Sequence, residues 1–155
     1  MQTVTVPMEA LAEVIALQLE QGGRASLTVS GSSMMPMLHH HRDAVTLIPP
    51  SPRQNKGDVI LYRRENGRYV LHRIIALAED GYLCSGDNQA VREPVKQEQI
   101  LAVVDGFTRN GRAYTCNTPV YRGYTALWVE LFCLRRYYIA IRRRLGRLRQ
   151  KMIYK

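Results

Sequence analysis

Hydrophobic positions change their spacing twice along this chain, and the changes divide it into a short helix, a β-rich body and a second helical segment. The first apolar residues recur every three or four positions, between a proline and a glycine pair: Pro7, Met8, Leu11, Ile15, Leu19, Gly22 and Gly23. Proline suits the first turn of a helix and glycine suits its end. The pattern therefore predicts one amphipathic helix.

From Ala25 to about Asn117 the chain consists of short runs rich in β-branched and aromatic residues, separated by turn residues. Such runs predict strands, and they read SLTVSG, AVTLIPP, GDVILYRR, RYVLHRIIALA, GYLCSGDN, QILAVVDGF and GRAYTCN. The segment Glu65-Asn66-Gly67 and the pair Asn110-Gly111 predict hairpin turns, because asparagine and glycine tolerate positive φ angles. We expect a mainly β fold class, a coiled antiparallel sheet flanked by helices.

After Pro119 the apolar residues again step by four and three positions, which predicts a helix. They form one continuous stripe: Leu127, Leu131, Leu134, Tyr138, Ile141, Leu145, Leu148 and Met152. Arginines fill much of the opposite side. The chain is therefore predicted to divide into a domain at 1–118, which includes the N-terminal helix, and a basic amphipathic helix at 119–155.

Basic residues are concentrated at the C-terminus. The formal net charge is +9, and residues 131–155 contain nine Lys and Arg with no Asp or Glu. Two interpretations stay open: a helix on an anionic membrane surface, and a helix packed on the body with a solvated charged side. Specific nucleic-acid binding is not expected, because no recognition-helix motif accompanies the charge.

The cysteines and the termini bear on location. Three cysteines at wide spacing match neither a disulfide framework nor a zinc site, which favours a reducing compartment. The N-terminal segment lacks the basic region of a secretory signal, and no uncharged run is long enough to cross a bilayer. We expect a cytoplasmic protein, either free or peripheral at the inner face of a membrane.

One segment has the features that a nucleophilic serine requires. In Val29–Leu38, small residues follow a predicted strand and precede Ser33, and Pro36 then limits the turn. A backbone that a substrate can approach and an exposed hydroxyl are needed for nucleophilic attack. The alternative is a strand-end loop with buried methionines.

A histidine on a later strand could act as the base for this serine. His72 lies within the predicted strand YVLHRII, and an unperturbed pKa near neutrality lets a histidine accept a serine proton and return it to a leaving amine. The alternative is a core histidine that is hydrogen-bonded within the sheet. The three consecutive histidines, His39–His41, could suggest a metal, but they cannot all face one ion from an extended strand.

Three blocks in this order resemble the signal peptidase superfamily. The sequence VSGSSMMPML is similar to the G-x-S-M-x-P box of type I signal peptidases, and its first part is similar to the box of self-cleaving repressors. The sequence YVLHRII resembles the strand that carries the general base, and Cys84–Asn88 resembles the G-D-N motif. The resemblance covers about Ser30 to Phe107, and histidine as the base matches the endoplasmic-reticulum and archaeal type.

This resemblance implies a serine endopeptidase with Ser33 as nucleophile and His72 as general base. A carboxylate would orient His72, and Asp87 is the first choice, with Glu93 as the competitor because the eukaryotic type places its acid after G-D-N. The oxyanion hole would use the Ser33 N–H, with a hydroxyl of Ser32 or Ser30 as a second donor.

The resemblance also implies a peptide or protein substrate with small residues at P1 and P3, and no cofactor. Departures from the family pattern are Met37 in place of the usual threonine and the absence of an N-terminal membrane anchor. The alternative function is a regulatory or peptide-binding module of the same fold, either non-catalytic or self-processing.

Overall fold

The computed structural model describes the backbone of residues 8–153 and, within that range, all side chains except those of Glu9, Arg136, Arg143 and residues 146–153. The elements, in chain order, are α1 (Met8–Glu20), β1 (Ala25–Thr28), β2 (Ala44–Ile48), β3 (Val59–Arg63), β4 (Tyr69–Ala78), β5 (Gly81–Ser85), β6 (Glu93–Val95), a 3-10 turn (Gln97–Gln99), β7 (Ile100–Arg109), β8 (Arg112–Thr115), α2 (Pro119–Glu130) and α3 (Phe132–Ile153). The predicted mainly β character with a few helices is confirmed.

All eight strands belong to one antiparallel sheet. The strand order is β1-β2-β7-β3-β4-β5-β6, and β8 pairs with the end of β7. Register shifts interrupt β7 where it pairs with β2 and with β3, and a further shift interrupts the β4–β5 pair. Such bulges bend a sheet and increase its twist.

Both predicted hairpin turns are present. Arg63 pairs with Tyr69 around the Asn66-Gly67 turn, and Arg109 pairs with Arg112 around Asn110-Gly111. Asn110 and Gly111 have φ values of 50° and 74°, the positive angles that favour this pair of residues in a two-residue turn.

The predicted apolar side of α1 faces the main core. Ile15 and Leu19 are buried there, and Met8 and Leu11 pack against the same cluster. Two strands that were predicted separately, β2 and β7, contribute Val45 and Val104. The burial of α1 follows from its helical spacing of apolar residues. Pro7 lies outside the described residues.

The C-terminal segment differs from the prediction of one continuous helix. It forms two helices that are separated at Leu131, where φ is −82° and ψ is 16°. Thr118 caps α2 by accepting a hydrogen bond from the backbone N–H of Tyr121, and Pro119 follows the cap. No helix among residues 8–153 is long and apolar enough to cross a membrane.

The predicted apolar stripe lies on the outside of these two helices. Its six described members have 42% to 60% of their surface exposed: Leu127, Leu131, Leu134, Tyr138, Ile141 and Leu145. A different side of α3 is buried, with Phe132, Arg135 and Ile139 against the body. The side chains of the last two predicted members, Leu148 and Met152, lie outside the described part of the chain.

Candidate active site

His72 lies near the start of β4 and is 2% exposed. The hairpin turn sets the register between β3 and β4, in which Ile60 lies opposite His72 and Tyr62 lies opposite Val70. Side chains two residues apart on a strand share a face, so Tyr62 is a diagonal neighbour of His72. The Tyr62 hydroxyl lies 3.1 Å from Nδ1 of His72.

A carboxylate lies behind this tyrosine. Glu93 begins β6, which pairs with β5 through Cys84. One of its carboxylate oxygens lies 3.7 Å from Nδ1 of His72, and the Tyr62 hydroxyl also hydrogen-bonds to Glu93. If Nδ1–H donates to the Tyr62 oxygen and the tyrosine O–H donates to Glu93, all three groups are satisfied. That arrangement leaves Nε2 of His72 as the hydrogen-bond acceptor.

Arg64 holds Glu93 in place. Its Nε and Nη2 donate to the two carboxylate oxygens, and the Nη2 distance is 2.8 Å. A fork of this kind fixes the orientation of a carboxylate as well as its charge. Burial raises the pKa of Glu93, but the hydrogen bonds from Arg64 and Tyr62 outweigh burial and lower the pKa below its ordinary value. Glu93 is therefore ionised at neutral pH.

The surroundings of His72 keep it uncharged. Burial is the largest effect and lowers the pKa of His72 to about 4, although the charge of Glu93 acts in the opposite direction. A general base must be unprotonated to accept a proton. At neutral pH the imidazole of His72 meets that requirement.

Ser33 lies in the loop between β1 and β2, half-buried between exposed Ser32 and buried Met34. The loop is shaped by His40, whose Nδ1 accepts a hydrogen bond of 2.8 Å from the backbone N–H of Gly31. The peptide bond between Met35 and Pro36 is cis. The Ser33 hydroxyl and backbone N–H make no hydrogen bond to the residues that the structure describes, so both can serve a substrate.

The turn after β5 holds the Ser33 loop. The backbone N–H of Asn88 donates to the carbonyl oxygen of Ser33 at 2.7 Å, and the Asn88 side-chain amide donates to the carbonyl of Ser32 at 3.2 Å. Gly86 lies directly against Ser33, because a Cβ placed on Gly86 would be 2.6 Å from the Ser33 carbonyl oxygen and 3.1 Å from the Ser33 Cβ. Ser33 thus occupies the space that a side chain at Gly86 would need.

The sheet register relates Ser33 to His72. Arg73 pairs with Ser85, and continuing this antiparallel register by one residue sets Gly86 opposite His72. Directly opposed residues project to the same face, with Cβ atoms about 5 Å apart. Ser33 therefore fills the place of the missing side chain across from His72. No hydrogen bond joins the Ser33 hydroxyl to His72 in this state, and such bonds often tighten only when substrate binds.

The Asp87 carboxylate hydrogen-bonds to Arg73 and not to His72, the residue that it was predicted to orient. Its two oxygens accept hydrogen bonds from Nε and Nη2 of Arg73 at 2.8 and 2.7 Å, and both residues are fully buried. Successive residues of a strand point to opposite faces, so Arg73 projects from the face of β4 opposite to His72. The Asp87 carboxylate, which is bound to Arg73, lies on that opposite face. The geometry therefore favours the competitor, Glu93, as the acid partner of His72.

Two residues of the site were not identified from the sequence, Tyr62 and Arg64. The signal for Tyr62 was available, because a hairpin with the three-residue loop Glu65-Asn66-Gly67 pairs Tyr62 with Val70 and so sets Tyr62 diagonal to His72. Arg64 immediately follows β3, and its partner Glu93 comes from a strand that the sequence pattern did not predict. Side-chain type and hairpin register could have found the first residue but not the second.

A cavity of about 500 Å³ adjoins Glu93. Asn88 of the G-D-N turn and the residues that follow it, including Val91, line one side, and Ile139 and Ala140 of α3 line the other. The C-terminal helix is therefore a wall of the space beside the candidate site.

The chain matches no protein-family model and no curated protein.

Proposed function

We propose that this chain is a serine endopeptidase that processes a peptide or protein precursor, with Ser33 as nucleophile, His72 as general base and Glu93 as the residue that orients His72. The observation that carries the proposal is the placement of Ser33 against Gly86, in the position across the strands from His72. The similarity of the three sequence blocks to signal peptidases supports the same chemistry.

In this proposal Nε2 of His72 accepts the proton of the Ser33 hydroxyl while the serine oxygen bonds to the substrate carbonyl carbon. The resulting oxyanion accepts a hydrogen bond from the Ser33 N–H, with Ser32 or Ser30 as the candidate second donor. His72 then gives its proton to the leaving amine as the peptide bond breaks. Water releases the acyl group from Ser33 by the same proton route, and no cofactor is required.

Glu93 and Tyr62 support this cycle by holding Nδ1 of His72. During acylation His72 becomes positively charged, and the ionised Glu93 stabilises that charge through the intervening tyrosine. Arg64 keeps Glu93 oriented. The finer description of the fold as a coiled-sheet peptidase domain belongs to the same proposal, as does the preference for small residues at P1 and P3.

The test is labelling of the purified full chain with a fluorophosphonate probe, with the labelled residue located by mass spectrometry. Labelling at Ser33 that is abolished in Ser33→Ala and strongly reduced in His72→Ala supports the peptidase. Ser26→Ala is the matched control, because Ser26 is an exposed serine on β1 and its loss should leave labelling unchanged.

The rival function is a regulatory or peptide-binding module that keeps the same fold. Incubation of the unlabelled chain at raised pH separates the possibilities. Self-shortening that requires Ser33 indicates a self-processing regulator, and cleavage of added peptides by a chain that stays intact indicates a processing enzyme. A folded chain that neither labels nor cleaves contradicts the proposal and favours binding alone.

A further inference from the structure

We propose that the exposed apolar stripe of α2 and α3, together with the arginines beside it, is a docking surface for an anionic lipid bilayer. The stripe is the set of exposed residues Leu127, Leu131, Leu134, Tyr138, Ile141 and Leu145. The proposal does not depend on the chemistry of Ser33. It concerns a part of the molecule that the proposed peptidase reaction leaves unused.

The stripe is a continuous surface and not a set of scattered positions. Leu134, Tyr138, Ile141 and Leu145 follow one another at steps of four and three residues within α3, so they lie along one side of that helix, and the exposed Leu131 and Leu127 precede them at the junction and in α2. Contiguous apolar surface of this kind on a folded chain marks a site for a partner or a membrane. The tyrosine within it, Tyr138, has the apolar ring and polar tip that suit the membrane–water interface.

Charge identifies the partner. Residues 131–155 contain nine Lys and Arg and no Asp or Glu, whereas the other 130 residues contain equal numbers of basic and acidic residues. Arg142 and Arg144 flank Ile141 and Leu145 in the described part of α3. A basic amphipathic helix with this composition is attracted to anionic headgroups while its apolar side enters the acyl boundary.

The same residues argue against a second copy of the chain. Steps of four and three are also the spacing of a coiled-coil seam. In such a seam the positions beside the apolar residues of α3 include Arg142 and Arg144, and residues 131–155 of the other copy contain no acidic residue to pair with them. Arg135 is moreover buried against its own domain, 3% exposed, and cannot line an interface between copies.

The helix that carries the stripe is fixed to the body next to the candidate site. Arg135 donates from Nη1 to the carbonyl of Gly86 at 3.0 Å and from Nη2 to the carbonyl of Trp128 at 2.8 Å. The indole N–H of Trp128 donates to the carbonyl of Asp87 at 3.2 Å. If the stripe docks on a bilayer, the turn that holds Ser33 lies at a fixed position relative to that bilayer. The same holds for the cavity beside Glu93.

The experiment is co-sedimentation of the full chain with vesicles of equal parts phosphatidylcholine and phosphatidylglycerol, compared with vesicles of phosphatidylcholine alone. We expect binding to the anionic vesicles only, and weaker binding as salt is added, because screening shortens from about 10 Å at 0.1 M to about 3 Å at 1 M. Trp128 is the single tryptophan and lies against Tyr138, so its fluorescence reports contact with brominated lipid in the same samples.

Two pairs of variants test the surface. Ile141→Asp with Leu145→Asp places charge on the stripe, and Val14→Asp with Leu17→Asp is its control on the exposed side of α1. Arg142→Glu with Arg144→Glu reverses the flanking charge, and Arg68→Glu with Arg112→Glu makes the same change of net charge on the body. We expect each C-terminal pair to weaken binding on the order of tenfold or more and each control pair to leave it nearly unchanged.

Three results would overturn the proposal. They are failure of the wild type to sediment with anionic vesicles, equal loss in the control pairs, and a concentration-dependent dimer that Ile141→Asp with Leu145→Asp abolishes. The substituted side chains are exposed, except that Arg142 is half-buried, so thermal unfolding should be little changed and a lost interaction can be assigned to the surface. Ser33→Ala should bind vesicles as the wild type does, which separates this proposal from the proposed peptidase activity.

Discussion

Glu93 and His72 are joined through a third side chain: an oxygen of Glu93 lies 3.7 Å from Nδ1 of His72, and the Tyr62 hydroxyl lies 3.1 Å from that same nitrogen. The other nearby carboxylate, Asp87, is engaged by Arg73 on the opposite face of β4. The two carboxylates therefore have separate tasks, one at the candidate site and one in the attachment of α2 to the sheet, where Tyr124 donates to Asp87 and where Arg73 donates to Thr125. Substitutions can distinguish them.

Replacement of Glu93 by glutamine removes the charge that stabilises a protonated His72. We expect the rate of probe labelling, or kcat/KM for a cleaved peptide, to fall by roughly 10² to 10⁴. Because the charge of Glu93 raises the pKa of His72, an NMR titration should show a still lower pKa in Glu93→Gln. An unchanged rate would contradict the assignment of Glu93.

Replacement of Asp87 by asparagine should act chiefly on stability. It leaves the buried Arg73 guanidinium without a charged partner, at a cost of about 3 to 5 kcal/mol in the free energy of unfolding, measured by urea denaturation. The control is Asp105→Asn, which breaks an ion pair to the largely exposed Arg24 and should cost less than about 1 kcal/mol. Equal losses in the free energy of unfolding would show that the buried Arg73–Asp87 pair contributes no more to stability than the Arg24–Asp105 pair.

Gly86→Ala should displace Ser33. The added methyl would lie 2.6 Å from the Ser33 carbonyl oxygen, so the loop must move away from the turn after β5. We expect labelling at Ser33 to fall by at least tenfold and the unfolding temperature to drop, since strain of this kind costs on the order of 1 to 3 kcal/mol.

Gly123→Ala is the matched control for that substitution. Gly123 lies within α2, and a Cβ there meets no atom within 4 Å. Alanine favours helix by about 1 kcal/mol, so this variant should be slightly more stable and equally reactive. Normal labelling in Gly86→Ala would disprove the proposed contact between the turn and the nucleophile loop.

The pH dependence follows from burial of His72. Its pKa falls from 6.5 to about 4 on folding, so the unfolded chain binds more protons between these values. This contribution to stability, about 3 kcal/mol, is present above pH 6.5 and is lost as the pH falls toward 4. Reactivity of Ser33 should decline only near pH 4, and a decline centred at 6.5 would show that His72 is solvated.

The parts of this fold set by local chemistry could be predicted from the sequence. The turn at Asn110-Gly111 depends on the positive φ angles of both residues, the turn at Glu65-Asn66-Gly67 depends on the positive φ of Gly67, and α1 depends on its helical spacing. The strand β6 was missed because Glu93–Val95 is three residues long and contains a proline, which a sheet tolerates at its edge. The separation of α2 from α3 at Leu131 has no glycine or proline to mark it.

The choice between Asp87 and Glu93 required the structure for a physical reason. Asp87 and Glu93 both follow β5 closely in the chain. Strand alternation places Arg73 and His72 on opposite faces of β4, so Asp87 lies beside Arg73 and Glu93 lies beside His72. Exposure of the stripe could likewise not be predicted from the sequence. Periodicity shows that residues share one side of a helix, but it does not show whether another part of the protein covers that side.

The strand order has a consequence for when the chain can become reactive. The Ser33 loop leaves β1 at one end of the strand path, and the turn that receives it follows β5 near the other end. Contacts between segments so far apart in the sheet carry a large loop-closure cost, so we expect them to form late in folding. A nascent or partly folded chain would hold Ser33 apart from Gly86, so the proposed protease would be unreactive until its sheet has formed.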